Sequence, residues 1–303
     1  MAVYVVGDFL RETRMRKGYT QEEVSYGICT AASLSRIENG AQKPGRLIME
    51  KLFERLGTEN NLFNSFVSRE EMELYSAIQE LIRNITDKDI SKIESQVDVV
   101  ELMTKDTTEL EHQCLYFAKG ELERQREKND EKAMKMYMKA IRITLPDFDG
   151  KNPLRNNLLT FDEIMIINAI AILHANGDDI MTAIKLDTWL KEYMEEKVVD
   201  GKMKTAKYPM ILYNLSYWLG EESCHKEALK YAEQGVEFCI KYGNLAFFPI
   251  LLFNKGGALA EIGEVERARK YLHQSITIFE AMERPDLIQI AVEWCRIHYL
   301  IEF

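Results

Sequence analysis

Residues 20–40 read TQEEVSYGICTAASLSRIENG, and this stretch decides the fold of the N-terminal part of the chain. Thr20 is followed three residues later by Glu23, which is the capping-box pattern of a helix start. A second threonine, Thr30, is the next capping residue and predicts a helix over residues 31–38. The stretch therefore predicts two short helices with a tight break between them.

Apolar spacing on either side predicts two flanking helices. One covers residues 7–16, and the other follows the Pro44-Gly45 turn and covers residues 46–56. The residues of the first flanking helix that are predicted to face inward are Phe9, Leu10 and Met15. Together these elements predict a small all-helical domain over residues 1–60.

Charge is distributed unevenly along the 303 residues. Residues 1–57 carry nine lysines and arginines and seven acidic residues, which is a net charge of +2. The whole chain carries 39 basic and 49 acidic residues, a net charge of −10, so the remainder carries −12. A mildly basic segment joined to a strongly acidic body is typical of a DNA-binding head on a body that DNA repels.

The helix over residues 31–38 is predicted to enter the major groove of double-stranded DNA with its N-terminal residues toward the base edges. The residues predicted to face base edges are Thr30, Ala31, Ala32, Ser33 and Arg36, and those predicted to contact the phosphate backbone are Lys43 and Arg46. Ser35 is a further predicted DNA-binding residue. Arg36 is the long donor of this set and is expected to bind guanine. The alternative for Arg36 is a salt bridge with one of three carboxylates, Glu22, Glu23 or Glu38. Because one head offers few long side chains, we expect a homodimer that reads two half-sites.

The remainder of the chain is predicted to be a helical array. Residues 61–69 are interpreted as a linker whose apolar residues dock the head on the body, and residues 70–303 show helical spacing with no strand pattern. The apolar residues of the linker are Leu62, Phe63 and Phe66. Because no apolar run approaches the ~20 residues that span a bilayer, we expect no membrane association.

Residues 252–279 resemble a tetratricopeptide repeat, which is a pair of antiparallel helices. Gly256 in the first helix and Ala268 in the second are small residues placed where two such helices touch. The corresponding alanines of more degenerate upstream units are Ala228, Ala183 and Ala133. These units predict an all-α body in which helix pairs coil into a right-handed superhelix with a concave inner surface.

Three asparagines recur at nearly the same place in successive first helices, 46 and 40 residues apart: Asn168, Asn214 and Asn254. An asparagine amide both donates and accepts hydrogen bonds, so a row of them can hold the backbone of an extended peptide. The alternative is three ordinary polar residues on half-exposed helices. The predicted peptide-binding residues are Asn168, Lys207, Asn214, Tyr217, Phe247 and Asn254, and the candidates to bind a peptide carboxylate are Lys207, Arg142 and Lys255.

Several classes of function are not indicated. The chain shows no nucleophile motif or phosphate-binding loop, and its five histidines are dispersed, so we expect neither an enzyme nor a cofactor. Five scattered cysteines without a CxxC pair indicate reduced thiols in a cytoplasm and no metal site. Two alternatives stay open for the body: repeats that recruit a protein partner, and a regulator without a ligand.

The head pattern, with TQEE at 20–23, LSRIE at 34–38, NG at 39–40 and KP at 43–44, resembles the helix-turn-helix domain of Xre/Cro-type repressors. That head followed by degenerate tetratricopeptide repeats resembles, over the whole chain, the PlcR-like group of the RRNPP family of quorum-sensing regulators. The resemblance implies that Gln21 contacts the phosphate backbone. It also implies a cytoplasmic transcriptional regulator, dimeric through its repeats, whose asparagines hold a short signalling peptide in the concave groove.

Overall fold

The structure, a computed structural model, describes residues 6–58, 69–87, 89–104, 109–154, 157–197 and 201–299. Most of the predicted linker, with its three apolar residues Leu62, Phe63 and Phe66, lies outside these residues. Within them the regular elements are all α-helices, as the sequence predicts. The chain divides into two compact units: unit 1 comprises residues 1–177 and 197–200, and unit 2 comprises residues 178–196 and 201–303.

Unit 1 contains nine helices within its described residues. They are α1 (Val6–Arg16), α2 (Gln21–Ser25), α3 (Ala31–Glu38), α4 (Arg46–Arg55), α5 (Arg69–Asp87), α6 (Ile90–Met103), α7 (Glu109–Gln125), α8 (Asp130–Thr144) and α9 (Phe161–Asn176). Helices α1 to α4 form the head, and their bounds match the predicted ones to within one residue for the three helices whose ranges we predicted. The division into domains at residues 60 and 70 stays a prediction.

Local side-chain bonds begin α2 and α3 where the sequence places their caps. The Thr20 hydroxyl accepts a hydrogen bond from the Glu23 N–H at 3.1 Å, and the Glu23 carboxylate accepts one from the Thr20 N–H at 2.7 Å. These bonds satisfy backbone donors that a helix start otherwise leaves unpaired. Thr30 caps α3 by accepting from the Ser33 N–H at 3.0 Å. The break between the two helices is therefore set by neighbouring residues.

The head encloses a core of apolar side chains from all four of its helices. Its buried members include Leu10, Val24, Ile28, Leu34, Ile37, Leu52 and Phe53. The prediction that Met15 faces inward is wrong, because its side chain is 60% exposed. Five residues separate Met15 from Leu10, which places it about 140° around the helix from the buried face. Thr13, three residues after Leu10, is buried instead.

The predicted helix pairs occur in both units. The helices of unit 2 are α10 (Ile180–Glu196), α11 (Gly201–Glu221), α12 (His225–Tyr242), α13 (Phe248–Glu261), α14 (Val265–Ala281) and α15 (Pro285–Tyr299). In unit 1 α7 packs on α8, and in unit 2 α11 packs on α12 and α13 on α14. A Cβ added at Gly120 would lie 2.4 Å from the Tyr137 ring, and one at Gly256 would lie 2.6 Å from Leu272, so small residues permit these contacts. The predicted pair of α9 with α10 is divided between the two units.

Candidate DNA-binding surface and ligand cavity

The N-terminal part of α3 forms the candidate DNA-binding surface of the head. Its exposed residues are Thr30, Ala32 and Arg36, and its half-buried residues are Ala31, Ser33 and Ser35. Arg36 forms no ion pair with any described residue, so the predicted alternative of a salt bridge with a nearby glutamate is not found among them. The guanidinium is therefore available to the two acceptors on a guanine edge.

The acidic residue of α3 is turned away from this surface. Glu38 is buried, and its carboxylate accepts hydrogen bonds from Arg14 Nε at 2.7 Å and Arg14 Nη2 at 2.9 Å. The hydrogen bond to Glu38 raises the pKa of Arg14. Gln21 Nε2 also donates to Glu38, at 2.7 Å, which ties the start of α2 to α3. Because this negative charge is paired inside the head, it does not oppose the approach of phosphates to α3. The phosphate contact of Gln21 stays a prediction.

The two predicted backbone-contacting cations have different surroundings. Lys43 is exposed in the turn before α4. Arg46 is half-buried, and its guanidinium carbon lies 3.9 Å from the ring centre of Tyr75 on α5. This geometry is a cation–π contact within unit 1. A phosphate contact by Arg46 would therefore compete with its stacking on Tyr75.

The head packs on the start of α9 through buried charges, which we did not predict from the sequence. Lys51 Nζ donates to Asp162 Oδ2 at 2.7 Å, and Arg55 Nη2 donates to Glu163 Oε1 at 2.7 Å. Both side chains of the second pair are fully buried. Because water does not reach them, each charge depends on its partner for stabilisation.

Glu163 also begins α9. Its second carboxylate oxygen accepts the Thr160 N–H at 2.6 Å, and the Thr160 hydroxyl accepts the Glu163 N–H at 3.3 Å. One carboxylate therefore serves both the capping box of α9 and the ion pair with Arg55. The T-x-x-E spacing at residues 160–163 is a signal for the helix start. It carries no information about a partner 108 residues earlier in the chain.

A close backbone contact also joins the head to the end of α8. Gly27 has a φ of +68°, and a Cβ there would lie 1.9 Å from the carbonyl oxygen of Thr144. The Tyr26 hydroxyl donates to Asp147, and the Arg55 guanidinium donates to the Tyr26 carbonyl. We call the surface formed by these contacts the junction, and its residues are Tyr26, Gly27, Lys51, Glu54, Arg55, Thr144, Asp147, Asp162 and Glu163.

The predicted peptide-binding asparagines lie in different settings. Asn168 is buried on α9 of unit 1. In unit 2, Asn214 is buried and its amide donates to Asp187 Oδ2 at 2.9 Å. Asn254 is half-buried and its amide donates to Ser216 Oγ at 2.8 Å. The amides of Asn214 and Asn254 thus bind groups of their own protein and do not repeat a single arrangement.

The cations predicted to bind a peptide carboxylate are also engaged within the protein. Lys255 lies 3.1 Å from a Glu233 carboxylate oxygen and 4.2 Å from the Tyr271 ring centre. Lys207 is 5% exposed, and Arg142 Nε donates to the Phe148 carbonyl at 3.5 Å. The binding of a peptide carboxylate by these three cations stays a prediction.

Unit 2 contains a cavity of about 600 Å³ that is lined mainly by α11, α13 and α15, together with residues of α12 and α14. Of the predicted peptide-binding residues in this unit, Tyr217 and Asn254 line the cavity, and Lys207, Asn214 and Phe247 do not. The wall on α15 includes Trp294, His298 and Tyr299, which we did not predict. Trp294 and His298 are four residues apart and stack at 4.0 Å between ring centres. The spacing of these aromatic residues on α15 is the signal by which the sequence could have indicated the wall. The size of the cavity is typical of ligand sites.

Comparison with known proteins identifies the head. A family described as helix-turn-helix domain matches residues 5–65. The uncharacterized HTH-type transcriptional regulator YqaF of Bacillus subtilis (strain 168) is 37% identical over 67 residues, which are 20% of this chain and 83% of the relative. The chain belongs to the HTH-type transcriptional regulators. This HTH-type regulator is therefore in a non-enzymatic class, as its sequence predicts.

The fold of the regulator as a whole matches solved structures. Bacillus thuringiensis PlcR in complex with the peptide PapR7 and DNA is 19% identical, with a TM-score of 0.60 over 95% of this chain and 99% of that chain. The apo form of PlcR is 18% identical, with a TM-score of 0.58 over 95% and 98% of the two chains. The predicted fold class, a helix-turn-helix head followed by helical repeats, is confirmed by these matches.

Two further features concern the described residues alone. None of their helices combines the length and the apolar character that crossing a bilayer requires. They also contain no group of three or more histidine, cysteine or acidic side chains placed to hold a metal ion.

Proposed function

We propose that this regulator binds double-stranded DNA through α3 and is controlled by a short peptide that binds in the cavity of unit 2. The main observation in support of DNA binding is the unequal exposure of opposite charges on α3. Arg36 is exposed and unpaired among described residues, whereas Glu38 is held inside the head by Arg14. The regulator acts in the cytoplasm as a homodimer on two half-sites, since one head presents few base-reading side chains.

The DNA-binding half is tested by selecting target duplexes from a random pool with the full-length protein. We expect Arg36→Ala to weaken binding by about 1–3 kcal/mol and to relax specificity at one base pair of each half-site. Lys43→Ala is the matched control, because a phosphate contact weakens binding to all sequences alike. Unchanged affinity and specificity in Arg36→Ala would remove α3 as the reading helix.

The peptide half is supported by the cavity and by the solved complex of PlcR, which contains a peptide. Its test is thermal unfolding with synthetic peptides from a short open reading frame next to the gene. A ligand at 100 times its dissociation constant adds about 2.7 kcal/mol to the free energy of unfolding.

The variants locate the peptide site. We expect Asn254→Ala to lose the ligand-induced shift, and Asn176→Ala, an exposed asparagine of unit 1, to keep it. If no peptide shifts the unfolding transition while DNA binding persists, the peptide proposal fails. Repeats that recruit a protein partner would then be the better account.

A further inference from the structure

The cavity of unit 2 has a negative rim. Apart from its tyrosines, the titratable residues that line it are Glu221, Glu261, His225 and His298, and no lysine or arginine is among its described lining residues. The cation next in sequence to the lining residue Asn254, Lys255, is held by Glu233 instead. Two carboxylates thus border an apolar and aromatic space without a neutralising arginine or lysine in the lining.

These carboxylates have few partners within the described part of the chain. Glu221 forms no hydrogen bond or ion pair there, and Glu261 has the single long contact of 3.9 Å with His225 Nε2. Burial, and then the charges of Glu261 and Glu221, raise the pKa of Tyr299 in the cavity wall. Burial and then the charge of Glu221 raise the pKa of Tyr217. The negative charges therefore act on groups inside the cavity as well as on the solvent outside.

The aromatic side chains of the cavity wall also favour a positively charged group. The faces of Tyr217, Trp294 and Tyr299 carry negative partial charge, which attracts ammonium and guanidinium groups. Trp294 is fixed by its stacking on His298 and lies with its Nε1 3.4 Å from the Tyr299 hydroxyl. His225 adds a polar atom, Nδ1, that is buried and has no hydrogen-bond partner among the described residues.

We propose that this cavity selects a positively charged segment of the peptide ligand: a lysine or arginine side chain, or a free α-amino group, flanked by apolar side chains. The carboxylates at the rim receive the charge, the aromatic wall stacks on it, and the Asn254 amide beside them binds the peptide backbone. The proposal rests on the proposed function, since it names the ligand of the same site. The net charge of −10 attracts such a ligand from a distance.

The test uses N-acetylated, C-amidated tetrapeptides of sequence FKLF, FQLF and FELF, which differ only in the charge of the second residue. Binding to the full-length protein is followed by the indole N–H signal of Trp294, assigned with Trp294→Phe. At low ionic strength we expect the lysine peptide to bind about tenfold more tightly than the glutamate peptide. Added salt should reduce this preference, because both carboxylates are exposed.

Substitutions of exposed residues show which side chains cause the preference for the lysine peptide, and they do not disturb the fold. In the double variant Glu221→Gln/Glu261→Gln we expect most of the preference for the lysine peptide to be lost, and the aromatic wall to retain a small remainder. Glu222→Gln is the matched control, because Glu222 is adjacent and exposed but does not line the cavity, and it should keep the preference.

The outcomes separate this inference from the proposed function. Equal binding of all three peptides by the unmodified protein, or a preference of undiminished size in the double variant, overturns the selection of charge by the two carboxylates and leaves a peptide receptor. If no peptide of any charge perturbs Trp294, both the selectivity and the peptide site in this cavity fail.

Discussion

The junction and the cavity both place acidic side chains beside helix ends, but the charges have opposite surroundings. At the junction, Glu163 is fully buried and divides its two oxygens between Arg55 and the Thr160 N–H. At the cavity, Glu221 is exposed and pairs with no described residue. The first carboxylate is satisfied by its own chain, whereas the second can still gain a partner. This difference separates charges that hold the head in place from charges that can select a ligand.

The largest effect on the free energy of unfolding is expected from replacing Arg55 in the junction. Arg55→Met leaves Glu163 buried without its cation, and removing one member of a buried pair typically lowers the free energy of unfolding by about 3–5 kcal/mol. The double variant Arg55→Met/Glu163→Gln should recover most of this loss, because no unpaired charge remains. Denaturant unfolding followed by circular dichroism measures both changes.

An exposed ion pair provides the control for Arg55. Arg126 pairs with Glu94, and about half of each side chain is exposed. Because water screens this pair, we expect Arg126→Gln to lower the free energy of unfolding far less than Arg55→Met does. Arg55→Met with an equally small loss would show that the junction charges do not hold the head.

The next largest effect on the free energy of unfolding is expected at Gly27, whose backbone lies against the backbone of Thr144. Gly27→Ala adds about 1–3 kcal/mol of overpacking against Thr144 to a left-handed backbone penalty of about 1–2 kcal/mol. Gly40 has a similar φ of +71° but no atom within 4 Å of an added Cβ, so Gly40→Ala should show the backbone penalty alone. Thermal unfolding of the two variants isolates the contact, and equal losses would contradict it.

The junction also contains more carboxylates than cations around Lys51. The groups that face Glu54 are Glu50, Lys51, Asp162 and the Phe161 N–H. Burial, reinforced by the charges of Asp162 and Glu50, raises the pKa of Glu54 to about 7 from its ordinary value of 4.5. Between these values the folded protein holds a proton that the unfolded chain has released, so the free energy of unfolding falls as the pH rises.

We therefore expect the protein to be more stable at pH 6 than at pH 8, with a slope of at most about 1.4 kcal/mol per pH unit for this proton. Glu54→Gln removes the charge and keeps the acceptor for the Phe161 N–H, so it should flatten the slope and stabilise the protein at pH 8. Denaturant unfolding across this range provides the measurement. An unchanged slope in Glu54→Gln would assign the proton to another group.

Local chemistry explains which parts of this molecule the sequence predicts. The start of α3 at Thr30 depends on one side chain and a backbone N–H three residues away, so its signal is contained in the sequence. The close approach at Gly256 is also predictable, because a repeat places a small residue at a fixed position between paired helices.

The sites depend instead on contacts that are distant in sequence. Arg55 and Glu163 each look like ordinary charged residues of amphipathic helices, and only packing of the head on α9 buries them together. Trp294 becomes part of a cavity wall because α15 packs on α13 and α14. The peptide-binding role of the row of asparagines stays a prediction for a related reason. Spacing gives the position of Asn214 on its helix but not its nearest partner, Asp187.

The smallest effect is expected at the cavity wall. A Cβ added at Gly257 would meet the Tyr299 hydroxyl at 2.5 Å, which is the far end of a side chain beside open space. The ring can shift, and replacing a helical glycine by alanine gains up to about 1 kcal/mol of helix propensity. Gly257→Ala should therefore leave the free energy of unfolding nearly unchanged or slightly higher.

Gly256 provides the matched control on the same helix. A Cβ there would lie 2.6 Å from Leu272 Cγ and 3.1 Å from its backbone nitrogen, in the packed interface of α13 with α14. Overpacking at that place should lower the free energy of unfolding by about 1–3 kcal/mol. Denaturant unfolding measures the change in the free energy of unfolding for both alanine variants. It compares the cavity wall, where Tyr299 can shift, with the packed interface of α13 with α14. An equal loss in both would mean that Tyr299 is held as rigidly as Leu272 in the interface of α13 with α14, and that the cavity does not adapt to its ligand.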